Sequence, residues 1–121
     1  MVLIAVDDFL FRSKIRATAK AAGVDVTFAK SADEMLELAR TLNPTLAIFD
    51  LNSATLAPIE TIAAMKQDSA LAAIRTLGFV SHVDSARINA ARMAGADDVL
   101  ARSAFAGNLA DILLGDKAAQ S

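Results

Sequence analysis

Residues 45–50, TLAIFD, are the most informative segment for predicting the fold. In this segment a run suited to a buried strand leads directly into an aspartate. Two similar short apolar runs occur at residues 2–6 (VLIAV) and 76–80 (TLGFV). Runs of this kind, without strict alternation of apolar and polar residues, are typical of strands covered on both faces. The sequence therefore predicts a buried parallel sheet to which TLAIFD contributes one strand.

Helical patterns separate these strands along the chain. Residues 9–22 repeat apolar side chains at helical spacing and stop at Gly23, a residue that commonly ends helices. Ser31 and Glu34 have the spacing of a capping box at the start of a second helix, which runs to residue 42. The other predicted elements are strands at residues 24–29 and 98–101 and helices at residues 59–67, 84–94 and 105–114.

Five strand–helix units in strict alternation predict an α/β fold, a parallel sheet covered on both faces. Five units are too few for a barrel, which needs eight, and favour a flavodoxin-like doubly wound five-stranded sheet of order 2-1-3-4-5 with five helices. We expect one domain over residues 1–114. Residues 115–121 (GDKAAQS) are expected to form a disordered C-terminal tail.

Composition excludes several classes of function. The 121 residues include no cysteine and one histidine, so disulfides, thiolate chemistry and multi-histidine metal sites are not expected. The net charge of −2 argues against non-specific nucleic-acid binding. The mean hydropathy is high at +0.42, but the longest charge-free stretches, residues 41–49 and 51–59, are too short to cross a membrane. Asp7 and Asp8 interrupt any signal peptide, so we expect a soluble cytoplasmic protein.

Carboxylates are the main reactive groups, with 11 aspartates against 3 glutamates. Asp7 and Asp8 follow the first strand and Asp50 follows the third, and these strands are neighbours in the predicted order. Three converging carboxylates repel one another, a situation that a hard divalent cation such as Mg²⁺ relieves. A carboxylate beside Mg²⁺ is suited to attack a phosphoryl group, whose oxygens Ser81 and Arg102, after strands four and five, could contact.

A purely structural interpretation stands beside this one. A single aspartate at a strand–helix junction is often only a helix N-cap. The adjacent pair Asp97 and Asp98 is interpreted as a solvated turn before the fifth strand. The arrival of three acids at one edge of neighbouring strands is harder to explain in this way, and it favours a site.

Four motifs resemble the receiver domain of bacterial two-component response regulators, the family that includes the chemotaxis regulator. They are LIAVDDF at 3–9, PTLAIFDLN at 44–52, GFVSHVD at 78–84 and AGADDVLARSAF at 94–105. The resemblance extends over Val2–Leu114, nearly the whole chain. It indicates an atypical single-domain member.

The resemblance implies a phosphoacceptor role for Asp50. It implies Mg²⁺ (or Mn²⁺) held by Asp7, Asp8, Asp50 and the backbone carbonyl of Asn52, and a switch hydroxyl at Ser81. A histidine kinase or phosphotransfer protein would supply the phosphoryl group, and a downstream protein would receive the signal by contact. Enzymatic activity beyond self-phosphorylation and self-dephosphorylation, nucleic-acid binding and membrane binding are not expected.

The departures from the family pattern cluster in the switch. Arg102 stands where the family has a lysine, and it is expected to pair with Asp50 and oppose metal binding. Ser103 replaces the usual proline. Val99 occupies the position of a mobile tyrosine or phenylalanine, and His82 is a candidate gate beside the phosphoryl pocket.

Two alternatives remain open at this point. The altered switch positions suit a phosphorylation-independent pseudo-receiver, an interaction or dimerisation module. For the signalling receiver, the face of helix 4, strand 5 and helix 5 is the expected surface for output contact and for a homodimer. An aspartate-nucleophile phosphatase is disfavoured, because Asn52 replaces the second acid of that motif and no suitably spaced threonine follows.

Overall fold

The computed structural model describes residues 1–81 and 84–115, which form one five-stranded parallel sheet. The strand order is β2-β1-β3-β4-β5, as predicted. The strands are β1 (Val2–Ala5), β2 (Val26–Phe28), β3 (Leu46–Asp50), β4 (Arg75–Val80) and β5 (Asp98–Ala101). The TLAIFD segment forms the central strand, and all five residues of β3 are buried.

Helices cover both faces of the sheet. They are α1 (Phe9–Ala22), α2 (Ala32–Leu42), α3 (Pro58–Gln67), α4 (Ser85–Ala94), α5 (Arg102–Gly107) and α6 (Leu109–Leu113). Side chains of α2, α3 and α4 pack on one face of the sheet, and those of α1, α5 and α6 pack on the other. Within the two described ranges, no helix has the length and apolar character needed to cross a membrane.

The predicted helix boundaries rest on local capping chemistry that the structure confirms. The Ser31 hydroxyl accepts from the Glu34 N–H at 3.0 Å, and the Asp84 carboxylate accepts from the Arg87 N–H at 3.0 Å. Gly23 ends α1 and Gly95 ends α4, both with positive φ. Each cap satisfies helix-end groups that would otherwise lack partners.

The last predicted helix is wrong in its bounds. Residues 105–114 were expected to form one helix, but helical structure begins at Arg102 and breaks at Asn108, so six helices replace the expected five. Gly107 and Asn108 are poor helix formers, and the Asn108 side-chain amide donates to the carbonyl of Ala104 at 2.9 Å. This side-chain bond stabilises the break.

Two other expectations differ at the chain's edges. The second strand was expected over residues 24–29 and is limited to Val26–Phe28, because β2 is an edge strand that pairs only with β1 at three positions. The predicted tail lies, apart from Gly115, outside the described residues.

Asp97 lies in an exposed bend, as the predicted solvated turn implies, but the pair also makes contacts that a purely solvated turn would lack. One oxygen of Asp97 accepts from the Thr76 N–H at 2.8 Å, from the Thr76 hydroxyl at 3.1 Å and from the Lys66 ammonium at 2.9 Å. Asp98 begins β5 and pairs with two nitrogens of Arg75, at 2.7 and 3.1 Å. These carboxylates therefore join β4, β5 and α3.

Asp97→Ala is expected to lower the free energy of unfolding by about 2 kcal/mol, because Thr76 is fully buried and loses a charged acceptor. Burial opposes ionisation of Asp97, but Lys66 and Thr76 outweigh it and hold its pKa below the ordinary value of 3.8. This contribution is therefore present above pH 3.8 and disappears on further acidification.

Urea denaturation at pH 7 measures this change in stability. The matched control is Asp25→Ala, since the Asp25 side chain is exposed and makes no contact of this kind with the described residues. A change within about 0.5 kcal/mol is expected for the control. Equal effects of the two substitutions would contradict the assignment.

Candidate functional site

The carboxyl edge of the sheet gathers the predicted site residues. Asp50 is the last residue of β3, Ser81 follows β4 and Arg102 follows β5. Asp7 and Asp8 follow β1 after one intervening valine. Parallel strands in register bring these ends to one edge, where the ionisation of Asp50 responds to the charges of Asp7, Asp8 and Arg102.

Asp50 is buried, with 6% of its surface exposed. Its Oδ1 accepts from the Asn52 N–H at 2.9 Å, and no other described residue hydrogen-bonds to this carboxylate. Burial raises the pKa of Asp50, and repulsion from Asp7 and Asp8 adds to this, against the opposing effects of the Asn52 N–H and Arg102. The folded state therefore disfavours the ionised form of Asp50. Its Oδ2 accepts no hydrogen bond from the described residues.

Asp8 uses both of its oxygens. Oδ1 accepts from the Phe11 N–H at 3.0 Å and caps α1, while Oδ2 pairs with Arg102 at 3.0 Å. The Phe11 N–H and Arg102 together hold the pKa of Asp8 below its ordinary value. Asp8, one of the carboxylates expected to hold the metal, is therefore already engaged.

The expected pairing of Arg102 with Asp50 is wrong, since its ion pair is with Asp8. The Arg102 guanidinium carbon lies 4.5 Å from the centre of the Phe11 ring, a cation–π contact. Phe11 in turn stacks on Phe79 and Phe105, with ring centres 5.1 and 5.6 Å away. This contact directs the guanidinium to the first turn of α1, where Asp8 lies.

Asp7 holds the loop between β3 and α3. Its Oδ2 accepts from the Ser53 hydroxyl at 2.9 Å and from the Thr55 hydroxyl at 2.6 Å. The Ser53 oxygen also accepts from the Leu56 N–H at 3.1 Å. Neither hydroxyl is predicted from the sequence as part of the site. The available signal is the concentration of small polar residues in NSAT, residues 52–55.

Asn52 contacts the switch position with its side chain. Its Oδ1 accepts from the Ser81 N–H at 2.8 Å and from the Ser81 hydroxyl at 3.1 Å. The role that the family resemblance implies for Asn52 involves its backbone carbonyl, so this side-chain contact is new. The Ser81 hydroxyl therefore donates to the loop after Asp50 rather than to Asp50 itself.

Arg87 of α4 also reaches this loop. One of its terminal nitrogens donates to the Leu51 carbonyl at 2.7 Å, and its Nε donates to Asp84 at 3.2 Å. Leu51 and Arg87 are 36 residues apart, so no local sequence pattern indicates the contact. It ties α4 to the residue immediately after Asp50.

Arg87→Ala is expected to lower the free energy of unfolding by about 1–2 kcal/mol, because a charged donor to a buried backbone carbonyl is lost. The amide NMR signals of Leu51 and Asn52 should shift. Arg92→Ala is the control on the same helix, since Arg92 is exposed and its side chain makes no hydrogen bond to the described residues. Unchanged Leu51 and Asn52 signals in Arg87→Ala would contradict the coupling.

Val99 and His82 are two further positions where the sequence departs from the family pattern. Val99 of β5 is half-buried and packs against the core on the α2–α3–α4 side of the sheet. His82, the candidate gate, lies outside the described residues.

The donor chemistry of this edge suits a hard divalent cation, since carboxylate oxygens are the ligands that Mg²⁺ prefers. Within residues 1–81 and 84–115, however, no three acidic or histidine side chains lie together closely enough to hold a metal ion. Asp7 is directed to Ser53 and Thr55, and Asp8 is directed to Arg102. A metal at this edge thus fits by ligand type and requires Asp8 to exchange Arg102 for the cation.

The family model described as response regulator receiver domain matches residues 2–113. The chain therefore belongs to the response regulator receiver domain family, the receivers of two-component signalling.

Solved structures agree with this assignment. A response regulator from Burkholderia multivorans is 30% identical, with 94% of this chain and 91% of that chain covered and a TM-score of 0.73. The phosphorylated cyanobacterial phytochrome response regulator RcpA is 19% identical, with 98% and 91% covered and a TM-score of 0.79. The Mn²⁺-bound response regulator Rcp1 is 16% identical, with 97% and 91% covered and a TM-score of 0.72. No curated protein sequence matches the chain significantly.

Proposed function

We propose that this receiver domain accepts a phosphoryl group on Asp50 in the presence of Mg²⁺ or Mn²⁺. The observation that carries the proposal is the state of the Asp50 carboxylate. It is buried at the end of the central strand, one oxygen is oriented by the Asn52 N–H, and the other has no donor among the described residues. That free oxygen is the nucleophile.

The phosphoryl transfer forms a phosphorus–oxygen bond and breaks a phosphorus–nitrogen bond. Oδ2 of Asp50 attacks the phosphorus of a phosphohistidine, the phosphorus–nitrogen bond breaks, and the imidazole leaves with the electron pair. Asp50 becomes an acyl phosphate. Asp7, Asp8, Asp50 and the Asn52 carbonyl would hold the cation, which would neutralise the charge on the phosphoryl group. Arg102 and the Ser81 hydroxyl would contact the phosphoryl oxygens in exchange for their present partners, Asp8 and Asn52.

The phosphodonor in this proposal is a histidine kinase or a phosphotransfer protein in the cytoplasm. The output is contact with a downstream protein, and the surface of α4, β5 and α5 is the candidate for that contact and for a homodimer. The bond from Arg87 to the Leu51 carbonyl supports this, because it links α4 to the acceptor loop. The domain acts as a phosphoacceptor and not on a separate substrate.

Two relatives support the chemistry by analogy. RcpA is described in its phosphorylated form and Rcp1 with Mn²⁺ bound. Both share the fold of this chain at only 19% and 16% identity, so they support the chemistry by analogy alone. The burial of Asp50 and the raised pKa that follows from it are the independent support within this chain.

The test is a titration with beryllofluoride, a mimic of the acyl phosphate, followed by amide NMR in saturating Mg²⁺. We expect saturable shifts at Asp50, Asn52 and Ser81, with propagation to Arg87. Absence of shifts around Asp50 even at high Mg²⁺ would overturn the proposal and leave the phosphorylation-independent pseudo-receiver as the better account.

A further inference from the structure

Two side-chain hydroxyls hold one oxygen of Asp7 in a fixed position. The Ser53 and Thr55 hydroxyls both donate to Oδ2 of Asp7, at 2.9 and 2.6 Å. Ser53 is buried, with 8% of its surface exposed, and its oxygen also accepts from the Leu56 N–H at 3.1 Å. The Ser53 hydroxyl is therefore constrained by the loop behind it as well as by the carboxylate in front of it.

These two bonds leave Asp7 with one available oxygen. A carboxylate oxygen has two lone-pair positions, and the two hydroxyl donors occupy both positions of Oδ2. Within residues 1–81 and 84–115, no group donates a hydrogen bond to Oδ1. Hydrogen bonds to an ionised acceptor are about twice as strong as bonds between neutral groups, so a ligand gains little by displacing both hydroxyls from Oδ2. Asp7 is thus restricted to ligation through Oδ1.

The two other acids of this edge are restricted by backbone groups instead. Oδ1 of Asp8 accepts from the Phe11 N–H, and Oδ1 of Asp50 accepts from the Asn52 N–H. A backbone N–H is present whatever the side chain, whereas the donors to Asp7 are side-chain hydroxyls. Asp7 is therefore the acid of this edge whose available oxygens depend on the side chains that the sequence supplies.

We propose that Ser53 and Thr55 are specificity-determining residues that make this site favour Mg²⁺ over Ca²⁺, an inference that rests on the proposed metal-dependent function. Mg²⁺ keeps several of its waters and takes few oxygens from the protein, in octahedral geometry. Ca²⁺ takes about six to eight oxygens and commonly uses both oxygens of a carboxylate. By withholding Oδ2 of Asp7, the two hydroxyls deny Ca²⁺ a bidentate ligand and leave Mg²⁺ the single oxygen that it needs.

A purely structural role for the two hydroxyls is the alternative, and it has a different consequence. Loss of a structural tie would weaken the binding of both cations by the same factor, whereas release of Oδ2 changes the ratio of their affinities. Thr55 separates the two roles. Its side chain is exposed and its hydroxyl donates to Asp7, while the bond between Ser53 and the Leu56 N–H holds the loop without it.

The test is isothermal titration calorimetry of the full chain with Mg²⁺ and, separately, with Ca²⁺ at constant ionic strength. Thr55→Val keeps the shape of the side chain and removes one donor, and Ser53→Ala/Thr55→Val removes both. We expect the ratio of Mg²⁺ affinity to Ca²⁺ affinity to fall about threefold in the single variant and about tenfold in the double variant, because the freed Oδ2 lets Asp7 bind Ca²⁺ with both oxygens. The matched control is Thr45→Val, which removes an exposed hydroxyl that donates to the Met1 carbonyl at the opposite edge of the sheet, and it should leave the ratio unchanged.

Two outcomes would overturn the inference alone: tighter binding of Ca²⁺ than of Mg²⁺ by the wild-type chain, and a ratio in the variants equal to that of Thr45→Val. Amide spectra establish which variants are folded, and Thr55→Val decides the matter if Ser53→Ala disrupts the loop. Absence of Mg²⁺ binding by the wild-type chain would overturn the metal site of the proposed function together with this inference. The titrations contain no phosphodonor, so failure of phosphorylation at Asp50 is a separate result.

Discussion

Asp50→Asn is expected to abolish phosphorylation of the chain by acetyl phosphate in Mg²⁺. The reason is that the amide lacks the nucleophilic carboxylate oxygen, while the other described carboxylates of the edge are engaged. Asp7 accepts from Ser53 and Thr55, and Asp8 accepts from Arg102. Intact-protein mass spectrometry measures the gain of one phosphoryl group, and hydroxylamine should remove that group from the wild-type chain.

The same substitution should stabilise the metal-free protein, so that loss of phosphorylation is not a folding defect. Burial raises the pKa of Asp50, which means that the folded state disfavours the charged form. The resulting penalty is present at neutral pH, diminishes as the pH falls through the raised pKa of Asp50, and vanishes below 3.8, where Asp50 becomes protonated in both states. Asp50→Asn should raise the free energy of unfolding at pH 7 by about 1 kcal/mol, the usual scale of a single substitution.

The control is Asp25→Asn, which alters an exposed aspartate away from the site. It should leave both phosphorylation and stability unchanged. Phosphorylation of Asp50→Asn at the wild-type level would place the acceptor elsewhere. A stability that falls with Asp50→Asn at pH 7 would contradict the penalty assigned to burying the Asp50 charge.

Arg102→Ala is expected to raise the affinity for Mg²⁺ about tenfold, a change of about 1.4 kcal/mol. In the wild-type chain, Oδ2 of Asp8 is paired with Arg102 at 3.0 Å, so a cation must displace the guanidinium. Removing Arg102 frees this oxygen and also removes a positive charge that repels the metal. Isothermal titration calorimetry at constant ionic strength measures the affinity, independently of phosphorylation.

The matched control for Arg102 is Arg92→Ala, which removes one positive charge from an exposed position of α4. Its Mg²⁺ affinity should change less than twofold. Arg102→Ala should lose only about 1 kcal/mol of stability, because the ion pair is partly exposed and the cation–π contact with Phe11 is modest. An unchanged or weaker Mg²⁺ affinity would show that Arg102 does not compete with the metal.

Much of the fold follows from local features of the chain. The apolar runs at residues 2–6, 45–49 and 76–80 indicate strands buried on both faces, because no alternation leaves a solvent side. Ser31 and Asp84 mark helix starts since their side-chain oxygens reach backbone N–H groups three residues ahead. Such signals act within one turn of chain, and the sequence displays them directly.

The position of Asp7, Asp8 and Asp50 at one edge also follows from the sequence once the strand order is accepted, since parallel strands end together. The hydrogen-bond and ion-pair partners of these acids do not follow from the sequence. Arg102 is 94 residues from Asp8, and Ser53 is 46 residues from Asp7. Whether Arg102 pairs with Asp8 or Asp50 depends on the Phe11 ring below it, a contact that spacing does not reveal.

The contacts of Asp97 are a second example of what local sequence patterns do not reveal. An adjacent acid pair favours a solvated turn on local grounds. Thr76, however, is buried, and the Asp97 carboxylate accepts hydrogen bonds from both its N–H and its hydroxyl. The helix break at Asn108 is stabilised by the hydrogen bond from its side-chain amide to the Ala104 carbonyl.

The strand–helix alternation, the helix caps and the three acids at one edge of the sheet can be predicted from the amino-acid sequence. These depend on backbone geometry and hydrophobic periodicity, which act over a few residues. The partner that each charged group takes is visible only in the folded chain: Arg102 contacts Asp8, Arg87 contacts the Leu51 carbonyl, and two arginines of α1 contact Phe28. Long flexible side chains choose among several partners within reach, and that choice depends on packing from elements distant in sequence.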